Sequence, residues 1–129
     1  MLQFLAVASG GALGAVMRYG TYILISRVYE GPAPMATWTV NMAGCLLIGF
    51  LVPFLRESPI PAPVQLFVLV GFLGSLTTFS TFSIESVALW QSGEMRLLVL
   101  NALVSVAVGM LLVWAGMKMH DAFFPFSIP

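Results

Sequence analysis

The sequence contains very little charge. Only 8% of its 129 residues are Asp, Glu, Lys or Arg, whereas about 25% is usual in soluble globular proteins. Hydrophobic residues make up 60% of the chain, and its mean hydropathy is +1.01. Because so few charged side chains cannot cover a water-exposed surface, this composition excludes a soluble fold. It predicts an all-α integral membrane protein with a single transmembrane domain over residues 1–129.

Other absences exclude further classes of protein. A single cysteine, Cys45, rules out an intramolecular disulfide and a cysteine metal cluster. The five basic and five acidic residues cancel, so no surplus of charge attracts nucleic acid. No basic segment precedes the first apolar run, which favours a retained helix over a cleaved signal peptide. The short loops cannot house a catalytic domain, so we expect no enzyme.

Long apolar stretches separated by short polar loops predict four transmembrane helices. A helix of about 20 residues crosses the hydrocarbon core of a bilayer. The third stretch is longer than one crossing requires, and prolines mark its start. The predicted spans cover residues 2–26, 35–55, 62–90 and 96–118.

The basic residues of the loops are evenly distributed. With four spans, Arg56 and Lys118 lie on one side of the membrane, and Arg27 and Arg96 lie on the other. The positive-inside rule therefore specifies no orientation. A chain without this bias can insert both ways and form an antiparallel homodimer of dual topology. The alternative is that the insertion machinery or the lipid fixes one orientation.

The third predicted span contains an unusual polar run. Six hydroxyl side chains occur between Ser75 and Ser83, preceded by Gly71 and Gly74. Consecutive β-branched threonines and glycines weaken a helix, so the pattern predicts a break near the middle of this span. Carbonyl groups freed at such a break suit a monovalent cation such as sodium. Alternatively, the hydroxyls bond back to carbonyls of an intact helix.

Several other polar residues fall within predicted spans. Glu85 is a carboxylate at a costly depth, which indicates a function unless it reaches the interface. It either accepts a hydrogen bond from Thr81, one turn before it, or is protonated and donates one. The Asn41 amide can join two helices or donate to an anion. Asn101 and Ser105 form a small polar stripe on the fourth span, and it faces either a pathway or another helix.

The first span combines small residues with one charge. Gly10 and Gly14 form a GxxxG pair, which is typical of close helix packing. Arg18 either reaches the interface or lies buried against carbonyl groups at a contact between subunits.

Together these stretches resemble the CrcB/Fluc family of fluoride channels. The matching segments are GGALGAVMRYG (residues 10–20), TWTVNMAGCLLIG (37–49) and GFLGSLTTFSTFSIE (71–85). They cover three of the four predicted spans in order, and TTFSTF is the most specific part. The fourth span matches more loosely.

The resemblance implies passive, fluoride-selective export across the bacterial cytoplasmic membrane and resistance to fluoride. It implies an antiparallel homodimer in the lipid bilayer with two pores and a central structural sodium ion. The backbone carbonyls of Gly74 and Thr77 would hold that ion, and Arg18 would lie near the dimer interface. By the family pattern, the fluoride pathway would comprise Asn41, Phe79, Ser80, Thr81, Phe82, Glu85 and Ser105.

Two other functions compete with this interpretation. A small proton-coupled multidrug exporter is also a four-span, dual-topology dimer, but it needs a carboxylate deep in its chamber, typically on the first span. The first span here contains no Asp or Glu. A non-conducting structural subunit would account for the glycines. It would not account for hydroxyls interleaved with Phe79 and Phe82.

Overall fold

The computed structural model describes residues 1–57 and 59–125, and all regular structure in these ranges is helical. Helix α1 comprises Leu2–Ser26, and α2 comprises Met35–Glu57. Helix α3 has three parts: an α-helical start, Ala62–Leu66, a π-helical segment, Phe67–Leu73, and a last α-turn, Gly74–Leu76. Helix α4, Phe79–Gln91, follows it after a break. Helix α5 comprises the α-helical parts Met95–Leu103 and Gly109–Phe123 with a π-helical segment, Val104–Val108, between them.

The predicted break in the third span is confirmed, and it lies at Thr77 and Thr78. Both residues have extended backbones, with φ −85° and ψ 158° at Thr77 and φ −152° and ψ 121° at Thr78. The Thr78 side chain then caps α4 by accepting a hydrogen bond from the Thr81 amide. A threonine at this position stabilises a helix start because its hydroxyl satisfies an otherwise unpaired N–H group.

Glycines bring the helices into two close pairs, α1 with α3 and α2 with the last part of α5. A Cβ atom at Gly10 or Gly14 would overlap a backbone carbonyl oxygen of α3, so the GxxxG pair packs helices as predicted. Gly49 of α2 and Gly116 of α5 approach each other's helix backbone in the same way. Small residues provide this close approach where lipid supplies no hydrophobic driving force between helices.

The buried apolar core is small. Val40, Leu73 and Leu76 form its centre, while most large apolar side chains lie on the outside of the bundle. Three helical stretches among the described residues are long and apolar enough to cross a membrane. They are Met35–Arg56, Ala62–Gln91 and Met95–Phe123, and α1 is not among them. The fold is therefore that of a multi-pass membrane protein, although the predicted count of four spanning helices is met only in part.

Candidate functional site

A cleft of about 350 Å³ lies beside the helix break. Helices α2, α3, α4 and α5 all contribute to its wall, and both π-helical segments supply lining residues. Short π-helical segments within α-helices often occur at functional sites. The cleft brings together six of the residues predicted for the site, namely Asn41, Gly74, Thr77, Phe79, Phe82 and Ser105.

Asn41 of α2 fixes the conformation of the break. Its Oδ1 accepts a hydrogen bond from the Thr78 amide at 2.8 Å, and its Nδ2 donates to the Thr78 carbonyl at 3.1 Å. The side-chain amide thus replaces the acceptor that the Thr78 amide loses when the helix is interrupted. It also gives a second donor to the Thr78 carbonyl, which accepts the first helical bond of α4. Asn41 accordingly joins two helices and also borders the cleft.

The break redirects two amides away from the carbonyls predicted to bind sodium. In a continuous helix the Thr78 amide would bond the Gly74 carbonyl, and the Thr81 amide would bond the Thr77 carbonyl. Here the first donates to Asn41 and the second donates to the Thr78 hydroxyl. Neutral carbonyl oxygens released in this way are suitable ligands for a hard monovalent cation.

Two phenylalanines one helix turn apart supply the aromatic part of the cleft lining, beside aliphatic residues such as Leu73 and Val106. The ring centroids of Phe79 and Phe82 are 5.4 Å apart, and the planes are tilted by 38°. Phe79 is 79% exposed at the protein surface. Ser105 also lines the cleft, and its hydroxyl is buried and has no hydrogen-bond partner in the described part of the chain.

Glu85 lies in a second polar group formed by three helices. Its Oε1 accepts a hydrogen bond of 2.7 Å from the Thr37 hydroxyl, and that hydroxyl is also hydrogen-bonded to Tyr22 of α1. The other carboxyl oxygen, Oε2, is buried without a partner among residues 1–57 and 59–125. Thr37 is fully buried, so this contact is shielded from solvent.

The partner that orients the Glu85 carboxyl group is therefore Thr37 and not Thr81, the candidate that lies one turn away on the same helix. The Thr81 hydroxyl lies 3.0 Å from the Thr78 hydroxyl at the start of α4 instead. The Ser80 hydroxyl also contacts Thr78, at 3.2 Å. Hydroxyls in the first turn of a helix are well placed to complete such a cap.

Not every residue predicted for the site borders the cleft. Ser80, Thr81 and Glu85 are absent from its lining. Ser80 and Thr81 lie between the lining residues Phe79 and Phe82, and Glu85 lies one turn further along α4. Arg18 is half-buried on α1, a helix that contributes no lining residue.

Sequence reasoning missed several polar residues that organise this region. Thr78 is one of six hydroxyls in its run, and Thr37 lies one turn before Asn41, but neither position indicates its role. Asn101 is fully buried and bonds both Trp38 and Ser86. In the sequence, the position of Asn101 one turn before Ser105 indicated that it belongs to a polar stripe on the fourth span.

The fold and the cleft define a class of protein: a multi-pass helical membrane protein with a site built from amide, hydroxyl and phenyl groups at an interrupted helix. A family model described as CrcB-like protein, Camphor Resistance (CrcB), matches residues 5–117. The chain belongs to this CrcB-like family.

Three bacterial relatives, each named fluoride-specific ion channel FluC, align with nearly the whole chain. The protein of Azotobacter vinelandii is 44% identical over 88% of this chain and 92% of its own length. That of Pseudomonas fluorescens is 42% identical, covering 89% and 94%. That of Shewanella halifaxensis is 40% identical, covering 92% and 96%.

Proposed function

We propose that this protein is not an enzyme but a fluoride-selective channel that lets fluoride leave the cell passively and thereby confers fluoride resistance. The observation that carries this proposal is that four side chains line the same cleft, namely Asn41, Ser105, Phe79 and Phe82. The names of the bacterial relatives support the same assignment.

The chemistry of the cleft suits a small anion. Fluoride only accepts hydrogen bonds, so a pathway must replace its water with donors without holding it too tightly to leave. The Ser105 hydroxyl has a proton to donate, and the edges of the Phe79 and Phe82 rings carry the positive part of the ring quadrupole. The described lining contains no Lys or Arg that would trap the ion.

Glu85 lies further along the same helix and extends the polar path. An ionised carboxylate would repel fluoride, whereas a protonated one can donate a hydrogen bond to it. The Thr37 hydroxyl already donates to Oε1, so a proton on Glu85 would lie on Oε2. In this arrangement Ser80 and Thr81 flank the cleft at the start of α4, and Glu85 continues the polar route along the helix.

A structural sodium ion is part of the proposal. The carbonyls of Gly74 and Thr77 would hold it, since the amides that would bond them in an intact helix are redirected to Asn41 and Thr78. When bound, the ion supplies positive charge that offsets the cost of moving fluoride out of water. The chain itself maintains the open break through the side chains of Asn41 and Thr78.

The functional unit that we propose is an antiparallel homodimer of dual topology with two pores. Gly74 and Phe79 are both exposed in one protomer, so a second copy can cover them and complete the sodium site and the pore wall. The even split of loop charges permits the inverted insertion that this dimer needs. Arg18 would lie near the interface between the two copies.

The decisive experiment is ion efflux from liposomes that contain the purified protein. We expect rapid fluoride release with chloride retained, and a strong loss of fluoride flux in Phe79→Ile and Phe82→Ile. Phe4→Ile is the matched control, because Phe4 is 81% exposed on α1 and does not line the cleft. Equal release of fluoride and chloride, or no release from a folded dimer, would reject the channel. Unchanged flux in both pore variants would place the pathway elsewhere.

A further inference from the structure

Helix α4 carries both phenylalanines of the cleft, yet it is held in the protomer by little apolar packing. Among the described helices it runs closely alongside only one other segment, Met95–Leu103 of α5. Leu89 is its one buried residue, in its last turn and away from the cleft. Its position therefore depends strongly on hydrogen bonds to side chains of other helices.

One of these connections passes through Asn101, which is fully buried in the first α-helical part of α5. The Trp38 indole donates to Asn101 Oδ1 at 2.7 Å. An indole N–H can only donate, so it fixes the orientation of the amide and directs Nδ2 away from Trp38. That Nδ2 donates to the Ser86 hydroxyl at 3.0 Å.

The connection continues to the backbone of Phe82. The Ser86 hydroxyl has a single proton, and it donates this proton to the Phe82 carbonyl at 2.7 Å. Every donor between Trp38 and Phe82 thus points in the same direction. The final acceptor, the Phe82 carbonyl, also takes the helical bond of the Ser86 amide. Chains of this kind are strengthened by the low dielectric of their surroundings.

We infer that Asn101, held by Trp38 and acting through Ser86, is a positioning residue that sets the place of Phe82 at the cleft. This inference rests on the proposed function for its effect on ion selectivity. A ring held at a fixed position keeps the passage narrow, whereas a loosened α4 widens it and admits the larger chloride ion. Neither Asn101 nor Ser86 lines the cleft itself.

The first test measures fluoride and chloride efflux from liposomes for Asn101→Ala and Ser86→Ala. We expect the fluoride-to-chloride ratio to fall about tenfold in each, the size expected for one broken buried hydrogen bond. The double variant should be no worse than the poorer single variant, because both break the same chain. Loss of folded protein alone would lower both fluxes equally and leave the ratio unchanged.

Two control variants make this test specific. Ser86→Thr keeps the hydroxyl and should retain the wild-type ratio. Ser83→Ala removes a hydroxyl that donates to the Phe79 carbonyl within α4, and it should also retain the ratio. A wild-type ratio in both Asn101→Ala and Ser86→Ala, or an equal fall in Ser83→Ala, would overturn the inference.

A second measurement does not depend on ion conduction. With 4-fluorophenylalanine in place of Phe82, the ¹⁹F NMR signal of the purified protein reports the surroundings of this ring. Asn101→Ala and Ser86→Ala should shift or broaden the signal, whereas Ser83→Ala should leave it unchanged. An unmoved signal in the first two variants would refute the positioning role even if the protein conducted no fluoride. Absence of wild-type flux together with the expected shifts would reject only the proposed function.

Discussion

Replacing Asn41 with alanine should reveal how much of the broken helix depends on one side chain. The substitution removes two hydrogen bonds, of 2.8 and 3.1 Å, to the backbone of Thr78. Thr78 is only 7% exposed, so its amide and carbonyl have little access to solvent. Each polar group left unpaired in a buried position costs about 1–3 kcal/mol.

The net loss of stability follows from what the backbone can recover. After Asn41→Ala, the Thr78 amide is left unpaired unless the break rearranges so that it reaches the Gly74 carbonyl, whereas the Thr78 carbonyl keeps the first helical bond of α4. We therefore expect a loss of about 2 kcal/mol, which exceeds the roughly 0.6 kcal/mol of an average interhelical hydrogen bond in a membrane protein. Such a rearrangement would withdraw the Gly74 carbonyl from the proposed sodium site.

Equilibrium unfolding of the purified protein in mixed micelles measures this difference directly. Thr39→Ala is the matched control on the same helix, because the Thr39 hydroxyl is exposed and donates to the Met35 carbonyl of α2 itself. Its stability should stay within about 0.5 kcal/mol of wild type. If Asn41→Ala unfolded with the same free energy as Thr39→Ala, Asn41 would not be what holds the break open.

Two further predictions concern helix packing and the carboxyl group. Gly14→Ala should destabilise the protein by about 1–3 kcal/mol in the same unfolding assay, since its Cβ would overlap the Phe72 carbonyl. Gly20→Ala, where a Cβ meets no atom within 4 Å, should be neutral or gain up to about 1 kcal/mol, and equal effects at both sites would contradict the packing argument. Thr37→Val should reduce fluoride efflux several-fold, about the effect of one hydrogen bond lost at Glu85, while Thr37→Ser preserves the flux. Full flux in Thr37→Val, or in Glu85→Gln, would show that this carboxyl and its partner are not needed.

The local features of this chain were predictable because they depend on neighbours in sequence. A run of hydroxyls, threonines and glycines weakens a helix wherever it occurs, so the break at Thr77 and Thr78 could be expected. Glycines spaced four apart lie on one helix face, so packing at Gly10 and Gly14 could also be expected. The π-helical segments were not predicted, because they carry no comparable pattern in the sequence.

The contacts that build the site are of a different kind. Thr81 is the nearest partner for Glu85 along the chain, but Thr37, 48 residues away, donates to it. In the sequence Asn101 is one member of an ambiguous stripe, and only the fold places Trp38 and Ser86 on either side of it. Such pairings depend on how helices approach and rotate, and the periodicity of a single helix does not encode them.

By itself the sequence determined that this is a helical membrane protein, that its third span has a segment of weak helix propensity, and which neutral polar groups are available to an ion. Its scarcity of charge and its local helix propensities settle those points without reference to partners. Only the tertiary structure decided that Asn41 closes the break, that Thr37 holds Glu85 and that Asn101 connects three helices. A buried polar group must be satisfied, and in this fold the groups that satisfy it come from distant parts of the chain.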